Sequence, residues 1–198
     1  SNEDLLSIWG YDAEDIFAVG FNGTVLHYDG LVWTIESVSS TVPLTSVHGL
    51  PYQGARDPRE PLTPPLFAVG WGGTVVKRDH ASRTWIDAAP SSTITEDLFG
   101  VRVGADDNAI AVGDMGRIMV WDGIRWTHIR FRVPGEFTGS LIEPKVSLKG
   151  VWTDDGDRYF ITGAGGAAYV SNNGYQSFQS IDTLEPDPLR GIWGPNAG

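Results

Sequence analysis

The chain has 198 residues, no cysteine and a formal charge of −11. Disulfides and thiolate metal sites are therefore excluded. A nucleic-acid backbone or an anionic membrane surface is a poor main partner, because both would be repelled. The 25 glycines, 12 prolines and 8 tryptophans, beside a hydrophobic share of 41%, describe short strands, many turns and large rings in the packing, hence an all-β protein.

No window carries helical apolar spacing without a glycine or proline breaking it. No apolar run reaches the ~20 residues of a membrane span, and no signal peptide is present. Residues 1–4, beginning Ser1-Asn2, read as a tag or linker remnant. A cysteine-free chain fits a secreted, periplasmic or cell-envelope protein, the expected location, and also a cytosolic one. Arg125, Arg130 and Arg132 flank Trp126 and Phe131, but three arginines on a strand face are ordinary solvated surface.

From residue 5 onward the chain is a series of similar units. The opening strands are Leu5-Leu6-Ser7-Ile8-Trp9-Gly10, Leu44-Thr45-Ser46-Val47-His48-Gly49, Leu98-Phe99-Gly100-Val101-Arg102-Val103, Leu148-Lys149-Gly150-Val151-Trp152 and Leu189-Arg190-Gly191-Ile192-Trp193-Gly194. A period of ~40–50 residues with four strands per unit is the signature of a propeller blade. The predicted blades are 5–43, 44–97, 98–147 and 148–188, with a fifth-blade or closing strand at 189–194.

In the first unit the spacing predicts strands near Leu6–Trp9, Asp15–Val19, Thr24–Tyr28 and Leu31–Val38. Gly20-Phe21-Asn22-Gly23 turns the second strand into the third, and Asp29-Gly30 the third into the fourth; both are hairpin signals. The Gly-x-x-Gly turn recurs at Gly70–Gly73, Gly113–Gly116 and Gly163–Gly166. A distal ring follows each turn: Trp33, Trp85, Trp126 and Phe178. These rings are expected to pack between neighbouring blades, since one blade alone cannot shield both faces of its sheet. Long connections fall at Leu50–Pro65, Phe131–Ser147 and Ile181–Pro188. The expected fold is thus an all-β propeller of four-stranded antiparallel blades, four complete and a fifth begun. Such a chain is a partial ring, a self-completing one, or half of a ring shared by two chains.

The pattern L-x-[SG]-[IV]-W-G followed by D-[IV]-F-A-V-G-x-x-G-T-[VI]-x-x-Y-D-G-x-x-W resembles the BNR/Asp-box-like propeller repeats of bacterial proteins, including repeat proteins of myxobacterial type. The superfamily holds sialidases and the photosystem II assembly factors. The resemblance implies a blade and no particular chemistry. The Asp-box itself is matched only loosely, by Ser171-Asn172-Asn173-Gly174-Tyr175-Gln176-Ser177-Phe178, and in that family it is a turn-forming device.

Three sets of residues are candidates for binding. The Gly-x-x-Gly turns present Phe21 and Asn22, Trp71, and Asp114 and Met115 from a fixed frame; Phe21 and Trp71 would form an aromatic platform for a peptide or a sugar ring. Matching positions on the opening strands, Trp9, His48, Arg102, Trp152 and Trp193, would line the mouth of a central channel or plug it. Carboxylates follow each opening strand: Asp12, Glu14 and Asp15, then Asp106 and Asp107, then Asp154, Asp155 and Asp157. The last three are hard oxygen donors that suggest calcium weakly, although aspartate and glycine also simply make turns. No other cofactor is implied.

The four histidines lack zinc-ligand spacing and nucleophile motifs, and no carboxylate pair is tied to a glycosidase motif. The sequence therefore reads as a non-catalytic binding or assembly module for protein or glycan. A sialidase-like hydrolase and a structural propeller fragment that self-associates as a homo-oligomer are the alternatives.

Overall fold

A computed structural model describes residues 3–50, 64–90, 94–104, 107–130, 145–153 and 157–194. Four antiparallel hairpin-linked sheets follow one another along the chain. Blade 1 holds β1 (Leu5–Asp12), β2 (Asp15–Gly20), β3 (Val25–Tyr28) and β4 (Trp33–Ile35). Blade 2 holds β5 (Ser37–Val38), β6 (Leu44–Gly49), β7 (Leu66–Gly70), β8 (Val75–Asp79) and β9 (Thr84–Asp87). Blade 3 holds β10 (Leu98–Val103), β11 (Ala109–Gly113), β12 (Ile118–Trp121) and β13 (Trp126–Ile129). Blade 4 holds β14 (Leu148–Thr153), β15 (Tyr159–Gly163), β16 (Ala168–Ser171) and β17 (Gln179–Ser180).

One predicted strand divides. Leu31–Val38 was expected to be the last strand of blade 1, yet only Trp33–Ile35 pairs there. Ser37–Val38 runs parallel to β9 and becomes a fifth strand on the outer edge of blade 2. The switch falls at Glu36, whose side chain is buried against blade 2.

The opening strands pack in succession, β1 on β6, β6 on β10, β10 on β14. Each sheet alternates its side chains between a back face, toward the following blade, and a front face, toward the preceding one. Phe17, Val19 and Val25 on the back of blade 1 meet Val47, Leu66, Ala68, Val76 and Trp85 on the front of blade 2. Phe67, Val69 and Val75 meet Val101, Ala111, Met119 and Trp126. Ile110, Val112, Ile118 and Val120 meet Val151, Tyr159, Ile161 and Phe178. The core is therefore three apolar seams between sheets, each large side chain in them contributing ~1.5–3 kcal/mol by burial.

The distal rings serve this packing in three blades. Trp85 is 1% exposed, and Trp126 and Phe178 are likewise buried, but Trp33 is 46% exposed. The front of blade 1 shares that exposure at Ile8 and Ile35, while Ala18 within it is buried. Its strands align Ile8, Ala18, Leu26 and Ile35 in one row and Ile16, Tyr28 and Trp33 in the next, with no charged side chain in either. Ile8 is 65% exposed where its counterpart Val47 is 3% exposed.

The expected fifth opening strand is present in place but not in pairing. Leu189–Gly194 is not assigned to a sheet, yet it lies on the back of blade 4 as β6 lies on blade 1. Trp152 packs against the Cα of Gly194 as Trp9 packs against that of Gly49. The Trp152 indole also donates to the Gly194 carbonyl at 2.9 Å.

Candidate functional site

The Gly-x-x-Gly turns and the segments that lead from one blade to the next share one end of the propeller. In each turn the residue after the first glycine donates its amide to the segment leading into its own blade: Phe21 to Asp4 O, Trp71 to Pro43 O, Asp114 to Asp97 O and Ala164 to Ser147 O, at 2.8–3.1 Å. The glycine itself is needed for that approach. A Cβ on Gly70 would stand 2.1 Å from the Pro43 carbonyl oxygen. The closing glycine is held by the segment leading to the following blade: Gly73 has φ +73, and its Cβ would meet the Ile94 carbonyl oxygen at 2.6 Å. The turn is thus pinned at both ends, and its two middle residues are pushed outward.

This frame brings Phe21 and Trp71 together, edge to face with ring centroids 6.1 Å apart. Trp71 is 43% exposed. Asn22 and Met115 occupy matching left-handed positions at φ 55, and both are exposed. Asp114 accepts a hydrogen bond from the Ser147 hydroxyl, and Asp97 accepts one from the Gly72 amide at 2.8 Å. Gly72 and Gly73 of the same turn line an open cavity of about 360 Å³, together with Ser39, Ser40, Asp87 and Ile94.

The opening-strand candidates lean against one another in sequence. Trp9 contacts the His48 ring at 5.5 Å between centroids. His48 Nδ1 accepts the Val103 amide at 3.1 Å. Arg102 donates to the Thr153 carbonyl at 3.4 Å, and Trp152 donates to Gly194. Each therefore ties one opening strand to the following one. Burial, and then the Arg102 charge, hold His48 well below the ordinary histidine range, which agrees with Nδ1 acting as an acceptor. Trp193, the last member, is 84% exposed.

The carboxylates at the opposite end separate. Asp12 caps the Glu14 amide at 2.8 Å, while Asp15 points inward to His27. Asp106, Asp154 and Asp155 lie outside the described residues. At Asp157 the backbone carbonyl accepts the Gly174 amide at 2.7 Å. Among the described residues no three acidic or histidine side chains converge as metal ligands.

One constellation is invisible in the sequence, where the histidines look isolated. His27 Nε2 lies 2.8 Å from Asp15 and its Nδ1 3.3 Å from Glu36. Glu36 takes a forked pair of bonds from Arg78 at 2.9 and 2.6 Å and a third from the Trp85 indole at 2.9 Å. Arg78 Nη1 donates to His80 Nδ1 at 2.9 Å, and its guanidinium lies 4.7 Å over the Phe17 ring. Burial pushes Glu36 up, but the Arg78 bonds and charge outweigh it and leave the carboxyl below its ordinary value. Burial and the Arg78 charge depress His80 to about 4 against the pull of Asp15. The group clamps blade 1 to blade 2. Only its Asp15–His27 part, on adjacent strands of one hairpin, had any sequence signal.

No family profile and no curated protein matches the chain. Solved structures do. YCF48 bound to D1 peptide aligns over 99% of this chain and 88% of its own, at 14% identity and a TM-score of 0.52. The RRP9 WD40 repeats align over 91% and 52%, at 9% identity and a TM-score of 0.65. The WD40 β-propeller domain of Doa1 aligns over 96% and 58%, at 13% identity and a TM-score of 0.61. The chain thus spans somewhat over half the length of the two WD40 chains. At these identities the likeness concerns the fold, and with the four sheets stacked front to back it shows an all-β propeller.

Proposed function

We propose that this propeller is a protein-binding module that takes a peptide segment on its Gly-x-x-Gly end. The observation that carries the proposal is the exposed Trp71, braced edge to face by Phe21, on a turn whose Gly72 and Gly73 line an open cavity. A ring held by a rigid neighbour loses little freedom when it is covered, which is how interface anchors gain affinity. Met115 adds a second exposed apolar side chain from the equivalent turn. Asp87 lines the cavity and the chain carries −11 overall, so a segment with an apolar anchor and flanking cationic residues fits best. That a structurally similar protein, YCF48, was solved with a peptide bound supports this class of ligand.

The test is selection from a random peptide display library, followed by calorimetric titration of the selected peptides. Trp71→Ala is expected to weaken them more than ~10-fold. Ile124→Ser, at an exposed turn of blade 3, should leave binding unchanged. A glycan array and a fluorogenic glycoside panel run beside it. Binding of sugars with no peptide selected, or turnover of a glycoside, would overturn the proposal.

A further inference from the structure

The position that ends each outer strand is alike in backbone from blade to blade and unlike in one side chain. Glu36 donates its amide to Val25 O at 3.0 Å, and Ala88 and Ile181 donate to Val75 O and Ala168 O at 2.9 and 2.8 Å. Ile129 pairs with Ile118 at the matching place in blade 3. An aliphatic side chain therefore suffices there in blades 2, 3 and 4, whereas blade 1 has a buried carboxylate ion-paired with Arg78. Two charges taken out of water are seldom the most stable way to join two surfaces, since apolar residues of similar volume often do as well or better. What a forked guanidinium–carboxylate pair adds is a fixed geometry.

The segment that Glu36 begins, running to Pro43, meets the candidate site repeatedly. Ser37–Val38 lies along β9, and the Ser39 amide extends that edge to Trp85 O at 3.1 Å. Ser39 and Ser40 line the cavity, as do Ala89 and Pro90 from the segment that leaves blade 2. The Ser40 carbonyl stands where only a glycine passes: a Cβ on Gly23, at φ +66, would be 2.1 Å from its oxygen. That contact seats the turn of Phe21. The Pro43 carbonyl takes the Trp71 amide at 3.1 Å and seats the turn of Trp71. One short segment thus sets both rings and part of the cavity.

We infer, resting on the peptide reading above, that Glu36 with Arg78 is a positioning residue for that site. The Glu36 amide is tied to blade 1, while its carboxylate is tied to blade 2 by the Arg78 fork at 2.9 and 2.6 Å and by the Trp85 indole at 2.9 Å. The start of the segment is therefore fixed against both sheets at once, and the Ser39–Pro43 contacts follow from it. An aliphatic residue at the same place packs without direction and leaves the segment a range of positions. The seam between blades 2 and 3 shows that such a joint still forms. There Ala88 stands in the place of Glu36, and the buried Trp126 indole, the counterpart of that of Trp85, has no hydrogen-bond partner.

The test removes both charges and keeps the volume, with Glu36→Leu and Arg78→Met in one chain. Urea denaturation is expected to find it about as stable as the wild type. Position is read separately. The chain has no cysteine, so Thr41→Cys and Ala89→Cys, both at exposed positions, carry spin labels on the two segments that line the cavity. Double electron–electron resonance is expected to give a narrow distance distribution when Glu36 and Arg78 are present and a broader one in their absence. Calorimetric titration of peptides selected by the wild-type chain should show affinity reduced ~10-fold or more. Should the double variant lack a native near-ultraviolet spectrum, Glu36→Gln, of the same size and without the charge, is measured in its place. An unchanged distance distribution, or unchanged affinity for the selected peptides, would overturn the inference. Failure to select any peptide would overturn the peptide reading instead, and the label distances would still decide whether the clamp places the segment.

Discussion

At the scale of single residues, the repeat motif is explained by what surrounds the turn. Gly70 has an extended backbone that any residue adopts, so its requirement is purely one of space: a Cβ meets the Pro43 carbonyl oxygen. Gly72 is the reverse case. A Cβ there meets nothing within 4 Å, but φ is +62. Gly70→Ala is accordingly expected to cost about 1–3 kcal/mol through overpacking, and Gly72→Ala about 1–2 kcal/mol through backbone strain alone. Urea denaturation of the two variants checks this, together with the expectation that Gly72→Ala keeps a native-like near-ultraviolet spectrum. The Asp-box-like stretch behaves as a turn device. Asn173 accepts the Ser177 amide at 3.2 Å and donates to its hydroxyl at 2.9 Å, and Phe178 is fully buried.

At the scale of elements, the clamp between blades 1 and 2 decides how the protein responds to acid. The Glu36 carboxylate holds Arg78 and the Trp85 indole, so Glu36→Ala leaves a buried guanidinium uncompensated. A loss of about 3–5 kcal/mol is expected, against a much smaller loss for Glu96→Ala, whose partner Arg117 is more exposed. Thermal denaturation of both variants tests the contrast. The histidines set the pH window. In the unfolded chain a histidine takes up its proton near 6.5, while folded His80 does so only at about 4, and folded His48 is also held well below 6.5. Between these limits the unfolded state binds more protons, so stability falls as pH drops from 6.5 toward 4. Depression of Glu36 extends the same trend to lower pH. Unfolding free energy measured across pH 4–8 should show this slope, and His80→Gln should flatten it; an unchanged slope would remove His80 as its source.

At the scale of the whole molecule, stability resides in the three seams between blades rather than in any one sheet. Trp85→Ala, in the seam between blades 1 and 2, is therefore expected to cost about 3–5 kcal/mol. Trp33→Ala should cost much less, because that ring is 46% exposed. Urea denaturation of the two variants measures the difference.

The four complete sheets, their turns and their four opening strands were legible because each depends on local chemistry: glycine where a backbone must pass close, Asp-Gly where a hairpin reverses, and near-continuous apolar runs such as Leu66–Gly70 and Ala109–Gly113 where a sheet has two covered faces. The same repetition placed Phe21 and Trp71 in equivalent turns, and so on one surface. The sequence could not show that Ser37–Val38 crosses to the neighbouring sheet, that His27 lies between Asp15 and Glu36, or that Trp33 is bare while its three counterparts are buried. Those facts depend on which blade stands beside which, and on a connecting segment that follows no period. A repeat specifies its own unit through short-range sterics, but the contacts between units, and the faces left without one, exist only once the units are stacked.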